Sequence, residues 1–82
     1  IDGIDEQLLE LLAKRMRISR EIGVYKKEHN MPILQSPRYS EILEKRSNMG
    51  EQMDLSTDFV KEILKEIHEE SVRQQMIIMN EQ

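Results

Sequence analysis

The 82-residue sequence contains no cysteine. That excludes a disulfide-stapled scaffold, a thiolate zinc site and a cysteine nucleophile. Glycine and proline are scarce, at 3 and 2 residues, and most sit where a helix should start or stop. β-Branched alternation is absent, so nothing reads as a half-buried strand. No apolar run approaches the roughly 20 residues that a bilayer span needs. No signal-peptide pattern is visible, and the expected location is cytoplasmic. An excess of positive charge is missing too. Twelve Lys and Arg stand against 16 Asp and Glu, for a net charge of −4 and a pI near 5.2. A general nucleic-acid binder is usually basic, so neither nucleic acid nor membrane is an expected partner. There is no phosphate loop, dinucleotide fingerprint or His-containing triad. His68 has Glu66 and Glu69 nearby but no spacing that specifies a metal. His29 reads as solvent-exposed or as a helix cap. No metal and no cofactor are expected.

What remains reads as nearly all helix, in three segments. From Ile1 to about Glu28, Ile1, Ile4, Leu8, Leu11, Ile18, Ile22 and Tyr25 recur at spacings of three, four and seven. That is an apolar stripe at helical period. Gly23 lies inside it, at a propensity cost of about 1 kcal/mol relative to alanine, and is read as a point of close helix packing. Asn30 is placed for a left-handed cap ahead of Pro32. The first segment opens without a cap, which predicts further helical residues before Ile1. Ser36-Pro37 supplies a capping hydroxyl and a first-turn proline for a short second helix. That helix should end near Asn48-Met49-Gly50, with Gly50 as its left-handed cap. The third begins after Ser56, with Leu55 and Val60 placed as a hydrophobic staple, and runs to about Met79.

Length constrains the architecture. A helix from Ile1 to Glu28 is roughly 42 Å long, whereas a chain of this size makes a body only about 25 Å across. The short second segment cannot cover the first. The expected fold is therefore all-α. A three-helix protomer is expected, with long first and third helices and a short middle one, pairing as a homodimer whose long helices cover each other. Two amphipathic helices joined by a flexible middle are the plainer alternative.

Several polar residues lie on the apolar seams. Arg15 follows Leu11 by four residues, and Lys26 follows Ile22 by four. Eleven residues apart, the two cations differ by only about 20° around the axis and lie roughly 16 Å apart along it. An unpaired buried charge costs several kcal/mol. These side chains must reach solvent, pair with acids, or line a cavity that receives an anion. On the third helix, Val60, Leu64 and Ile67 lead into Ser71 and Gln75, two neutral hydrogen-bonding groups on the same stripe. They read either as a local polar pair or, with the cations, as a patch for a small organic anion. Arg38, in the first turn of the second helix, offers another guanidinium fork for a carboxylate.

These residues occur in an order that resembles the all-helical chorismate mutase family. The first motif runs Ile4-Asp5-Glu6-Gln7-Leu8-Leu9-Glu10-Leu11-Leu12-Ala13-Lys14-Arg15 and continues through Ile22-Gly23-Val24-Tyr25-Lys26-Lys27. Pro32-Ile33 with Arg38, and Glu70-Ser71-Val72-Arg73-Gln74-Gln75, complete it. The resemblance covers residues 1–82 as one domain. It implies an isomerase that converts chorismate to prephenate by an intramolecular Claisen rearrangement, in an intertwined dimer with two sites. It further implies that Arg15 and Arg38 bind substrate carboxylates. Lys26 and Gln75 would approach the ether oxygen from two sides, and Ser71 would orient a carboxylate. Some relatives are fused to other aromatic-biosynthesis enzymes, so a fused synthase domain is a possible partner.

Three departures accompany the resemblance. An arginine usual in the family would fall two residues before Ile1. Gln35 stands where many relatives have aspartate, and Tyr39 where many have a glutamate that contacts the substrate hydroxyl. Gln35 and Tyr39 are accordingly expected substrate-binding positions with altered chemistry. The alternatives are a catalytically weak regulatory or interaction domain and a lyase that removes pyruvate from isochorismate.

Overall fold

A computed structural model describes residues 1–33 and 37–81, with only the backbone of Pro37. It contains three helices, α1 (Asp2–Glu28), α2 (Pro37–Gln52) and α3 (Thr57–Asn80), and no strand among the described residues. None of these helices is long and apolar enough to cross a membrane.

Helix α1 stops as its sequence requires. Asn30 takes the left-handed conformation, with φ of 54°. The Met31 amide donates to the Lys26 carbonyl at 2.8 Å and the Asn30 amide to the Lys27 carbonyl at 3.3 Å. This paired closure satisfies carbonyls that a helix end otherwise leaves open. His29, at the cap, donates through Nδ1 to the Tyr25 carbonyl at 2.8 Å and stacks on the Tyr25 ring.

Helix α2 departs from expectation at Gly50. The helix does not end there but continues to Gln52, and no glycine has a positive φ among the described residues. Asp54 takes the left-handed position instead, with φ of 63°. The Leu55 amide then closes onto the Gly50 carbonyl at 2.9 Å, repeating the motif that ends α1. The reason lies in packing. A Cβ on Gly50 would come within 2.7 Å of a Val60 methyl. The glycine serves close approach, not a turn. Ser36, the expected cap of α2, lies outside the described residues, while Pro37 opens the helix as expected. Ser56 caps α3, its Oγ accepting from the Phe59 amide at 3.4 Å.

The chain divides into two compact units, and the boundary falls inside α3. One unit comprises Leu34–Glu69. In it α2 and the first part of α3 form an antiparallel hairpin. Lys61 pairs with Glu44 at 3.3 Å, Gly50 meets Val60, and Tyr39 stacks on His68 with ring centres 4.0 Å apart. The other unit comprises Ile1–Ile33 and Glu70–Gln82. Here contacts pair Ser19 with Ser71, Gly23 with Gln75, and Lys27 with Ile78. Residue numbers rise together on both helices, so the pairing is parallel.

No hydrophobic side chain among the described residues is fully buried; the buried polar ones are Ser19, Ser47 and Gln75. The leading half of α1 is open to solvent. Ile4 is 67% exposed and Leu11 is 65% exposed.

Candidate active site

A polar cluster lies where α1 meets the last turns of α3. Arg15, Ser19 and Gly23 recur every four residues along one side of α1, as Ser71 and Gln75 do on α3. Gly23 sets the separation. A Cβ there would stand 3.1 Å from the Gln75 Cα and 3.3 Å from the Ile78 Cβ. This is the close packing its position in the stripe predicts.

Three hydrogen bonds lie beside that contact, one of them between the helices. Ser19 Oγ donates to the Arg15 carbonyl at 3.0 Å. Ser19 and Ser71 bring their hydroxyl oxygens within 2.6 Å. Gln75 Nε2 donates to Ser71 Oγ at 3.5 Å, the longest and weakest of the three. One order of protons makes hydrogen bonds of all three contacts. A carbonyl can only accept, so the single Ser19 proton points at Arg15. Ser71 must therefore donate to Ser19, and its lone pairs receive the Gln75 amide. Gln75 is only 7% exposed, and its Oε1 has no hydrogen-bond partner among the described residues. An unmatched buried acceptor costs about 1–3 kcal/mol. The amide thus has one N–H and its oxygen without a partner among the described residues.

The two seam cations differ in setting. Lys26 is half-buried, and its Nζ donates to the Ile33 carbonyl at 2.7 Å. That bond holds the ammonium against the segment leaving α1 and leaves two of its three donors. No carboxylate pairs with it among the described residues. Arg15 is exposed, and its guanidinium has no hydrogen bond or ion pair among the described residues. Both cations are therefore available to an anion. Beside them, Arg20 Nη1 donates to Gln74 Oε1 at 3.2 Å, and Gln74 and Arg73 each donate to Glu70. The Gln74 amide, followed by the Arg73 guanidinium, holds the Glu70 carboxyl below its usual range. Lys27 donates to the Ile78 and Glu81 carbonyls, closing the end of α3.

Arg38 and Tyr39 belong to the α2 hairpin. Arg38 is exposed in the first turn of α2, and its guanidinium is without an ion pair among the described residues. Tyr39 is half-buried against the His68 ring, beside an open hollow of about 330 Å³ bordered by Leu43, Lys61 and Lys65. Its ring is thereby occupied on one face, while nothing engages its hydroxyl among the described residues. Gln35 lies outside the described residues. No group of metal-ligating side chains occurs among the described residues.

The family model for chorismate mutase type II matches residues 1–76. The chain belongs to the type II chorismate mutase family. Among curated relatives it is 35% identical over 80 residues to a bifunctional chorismate mutase/prephenate dehydratase of Buchnera aphidicola from Schizaphis graminum. That alignment covers 98% of this chain and 21% of the relative. It is 32% identical over 71 residues to the T-protein of Enterobacter agglomerans, covering 87% of this chain and 19% of the relative. To the T-protein of Haemophilus influenzae it is 31% identical over the same length and the same shares. The chain spans about a fifth of the length of these curated relatives. No solved structure matches it.

In this member of the chorismate mutase family, the polar cluster includes a residue that motif reading passes over. Ser19 is 4% exposed and bonds to Ser71, yet a lone mid-helix serine reads as surface. The usable signal is spacing. Ser19 precedes Gly23 by one turn, and two small residues four apart mark a line along which another helix can come close.

Proposed function

We propose that this chain is a chorismate mutase domain that converts chorismate to prephenate, with no metal or cofactor. What carries the reading is the match of the chorismate mutase type II family to residues 1–76. The chemistry suits the groups present. In the rearrangement one C–O bond breaks while one C–C bond forms, within a single molecule. No nucleophile or external proton is required. The protein must hold a chair-like conformer and stabilise charge gathering on the ether oxygen.

In this reading Lys26 and Gln75 are the catalytic donors at that oxygen. The two donors left on the Lys26 ammonium and the free N–H of Gln75 support the assignment. Arg15 and Arg38 take the substrate carboxylates, as planar forks with no partner among the described residues. Ser71 has its proton engaged by Ser19, which favours a role exerted through Gln75 over a direct bond to a carboxylate. Tyr39 and Gln35 remain proposed substrate contacts at the positions where the family more often carries acids.

We further propose that the active form is an intertwined homodimer. The support is the apolar face of α1, where Ile4, Leu8 and Leu11 are each more than half exposed. A second copy offers the same stripe and can cover it symmetrically. The proposed location is cytoplasmic. A fused enzyme domain is a proposed partner. The name of the Buchnera relative favours prephenate dehydratase over the synthase expected from sequence.

The test is chorismate consumption by the full-length natural protein, with product identification. Prephenate is the expected product. Salicylate with pyruvate would assign the lyase chemistry instead, and a folded dimer that leaves chorismate untouched would assign a regulatory or interaction role.

A further inference from the structure

The hydroxyl–amide chain assigns work to a residue outside the motif. We infer that Ser19 is a positioning residue for the rearrangement: its hydroxyl fixes the direction of the Ser71 proton and so holds the Gln75 amide in one orientation. This rests on the reading of Gln75 as a donor to the ether oxygen.

Ser19 occupies one face of α1, 4% exposed, and its proton is committed to the Arg15 carbonyl. The 2.6 Å contact then draws the Ser71 proton onto Ser19. Ser71 is left with lone pairs toward Gln75, and only the N–H end of the amide can satisfy them. One amide N–H is spent on Ser71, and the other is held in a fixed direction. Without the Ser19 hydroxyl, Ser71 can offer its proton to Gln75. The amide can then invert about its last torsion, and the donor has no single direction. A donor fixed before the reaction stabilises developing charge better than one that must reorganise.

The same chain makes a prediction of definite sign in a Gln75→Glu background. With Ser19 present, Ser71 has only lone pairs for the introduced carboxyl, which favours its protonated, donating form. Burial favours that form too. Removing the Ser19 hydroxyl frees the Ser71 proton to bond the carboxylate. That favours the charged form and lowers the midpoint. Arg15, Arg20, Lys26 and Lys27 on α1, and Glu70 and Arg73 on α3, are the same in every variant. A change in midpoint therefore reports the hydroxyl.

Two measurements test this. The first is kcat/KM for chorismate in the parental protein and in Ser19→Ala, with circular dichroism and sedimentation as folding controls. A loss of about 3- to 10-fold is expected, the worth of one ordinary hydrogen bond. The second is the carboxyl midpoint of Gln75→Glu with and without Ser19→Ala, read by ¹³C NMR of the labelled side chain without ligand. A fall of about half a pH unit or more is expected. Where alanine costs the fold, Ser19→Cys carries the same comparison with a weak acceptor of similar size. A midpoint that stays or rises overturns the inference about Ser19, whatever the rate does. Parental protein that leaves chorismate untouched overturns the functional reading and this positioning role with it.

Discussion

The two halves of α1 use opposite chemistry. From Ser19 onward the helix is held to the last turns of α3 by hydrogen bonds and by a glycine contact. There the decisive side chains are small or polar. Before Ser19 the face carries Ile4, Leu8 and Leu11, all largely open to solvent. One half is specified by direction, through bonds that fix which group points where. The other is specified by area, through an apolar stripe that any complementary stripe can cover. The directional half, with Arg15 just ahead of it, can orient a ligand; the stripe of Ile4, Leu8 and Leu11 offers area for assembly but no group that recognises a small anion.

The sharpest way to break this contrast is to put charge into the apolar half. Leu11→Asp should abolish dimerisation at micromolar concentration. Each leucine is worth about 1.5–3 kcal/mol of burial and the change is made twice. The dimer dissociation constant should rise by about 100-fold to 10⁴-fold, read by sedimentation equilibrium. A dimer of unchanged affinity would show that this face is not the interface.

In the directional half, Lys26→Ala should leave assembly intact and lower kcat/KM by about 100- to 1000-fold, near 3–4 kcal/mol of barrier. Steady-state kinetics on a folded dimer tests it, and a near-parental rate would remove Lys26 from the site. The glycine contact should respond more mildly. Gly23→Ala gains about 1 kcal/mol of helix propensity. It also drives a methyl to 3.1 Å from the backbone of Gln75, which a helix cannot easily yield. Overpacking costs about 1–3 kcal/mol, so a net loss of about 1 kcal/mol is expected in urea unfolding. Stabilisation would mean that α3 gives way freely.

The smallest effect belongs to Glu70. Its carboxyl is held below the usual value of 4.5 by Gln74 and Arg73. The folded state therefore favours the charged form. That contribution is present above pH 4.5 and is lost as pH falls through the lower folded value. Glu70→Gln should flatten the acid limb of a plot of Tm against pH below about 4.5 while barely moving Tm at neutrality. An unchanged acid limb would show that the Glu70 cluster does not contribute.

Much of this contrast is legible in the residues alone. Helical period places Arg15, Lys26, Ser71 and Gln75 on the seams, and Asn30 before Met31-Pro32 marks the end of α1. Gly50 shows where such reading stops. A glycine near an expected helix end can serve a left-handed turn or a close approach, and only the position of Val60 decides between them. The bond from Lys26 to the Ile33 carbonyl depends on where the chain goes after the helix, which periodicity does not encode. Ser19 escapes for a related reason. Its importance comes from a partner distant in sequence, and Ser71 becomes that partner only through the parallel pairing of α1 with α3.

That parallel pairing also sets an order of events in folding. The side-chain hydrogen bonds that join α1 to α3 link residues 51 to 54 positions apart. Closing a loop of that length costs about 3.5 kcal/mol beyond a constant term before any contact is gained. The α2 hairpin closes far shorter loops, so its contacts can form first and quickly. Amide groups facing the α1–α3 seam should gain protection from exchange only in the last step of refolding, when the far end of the chain arrives.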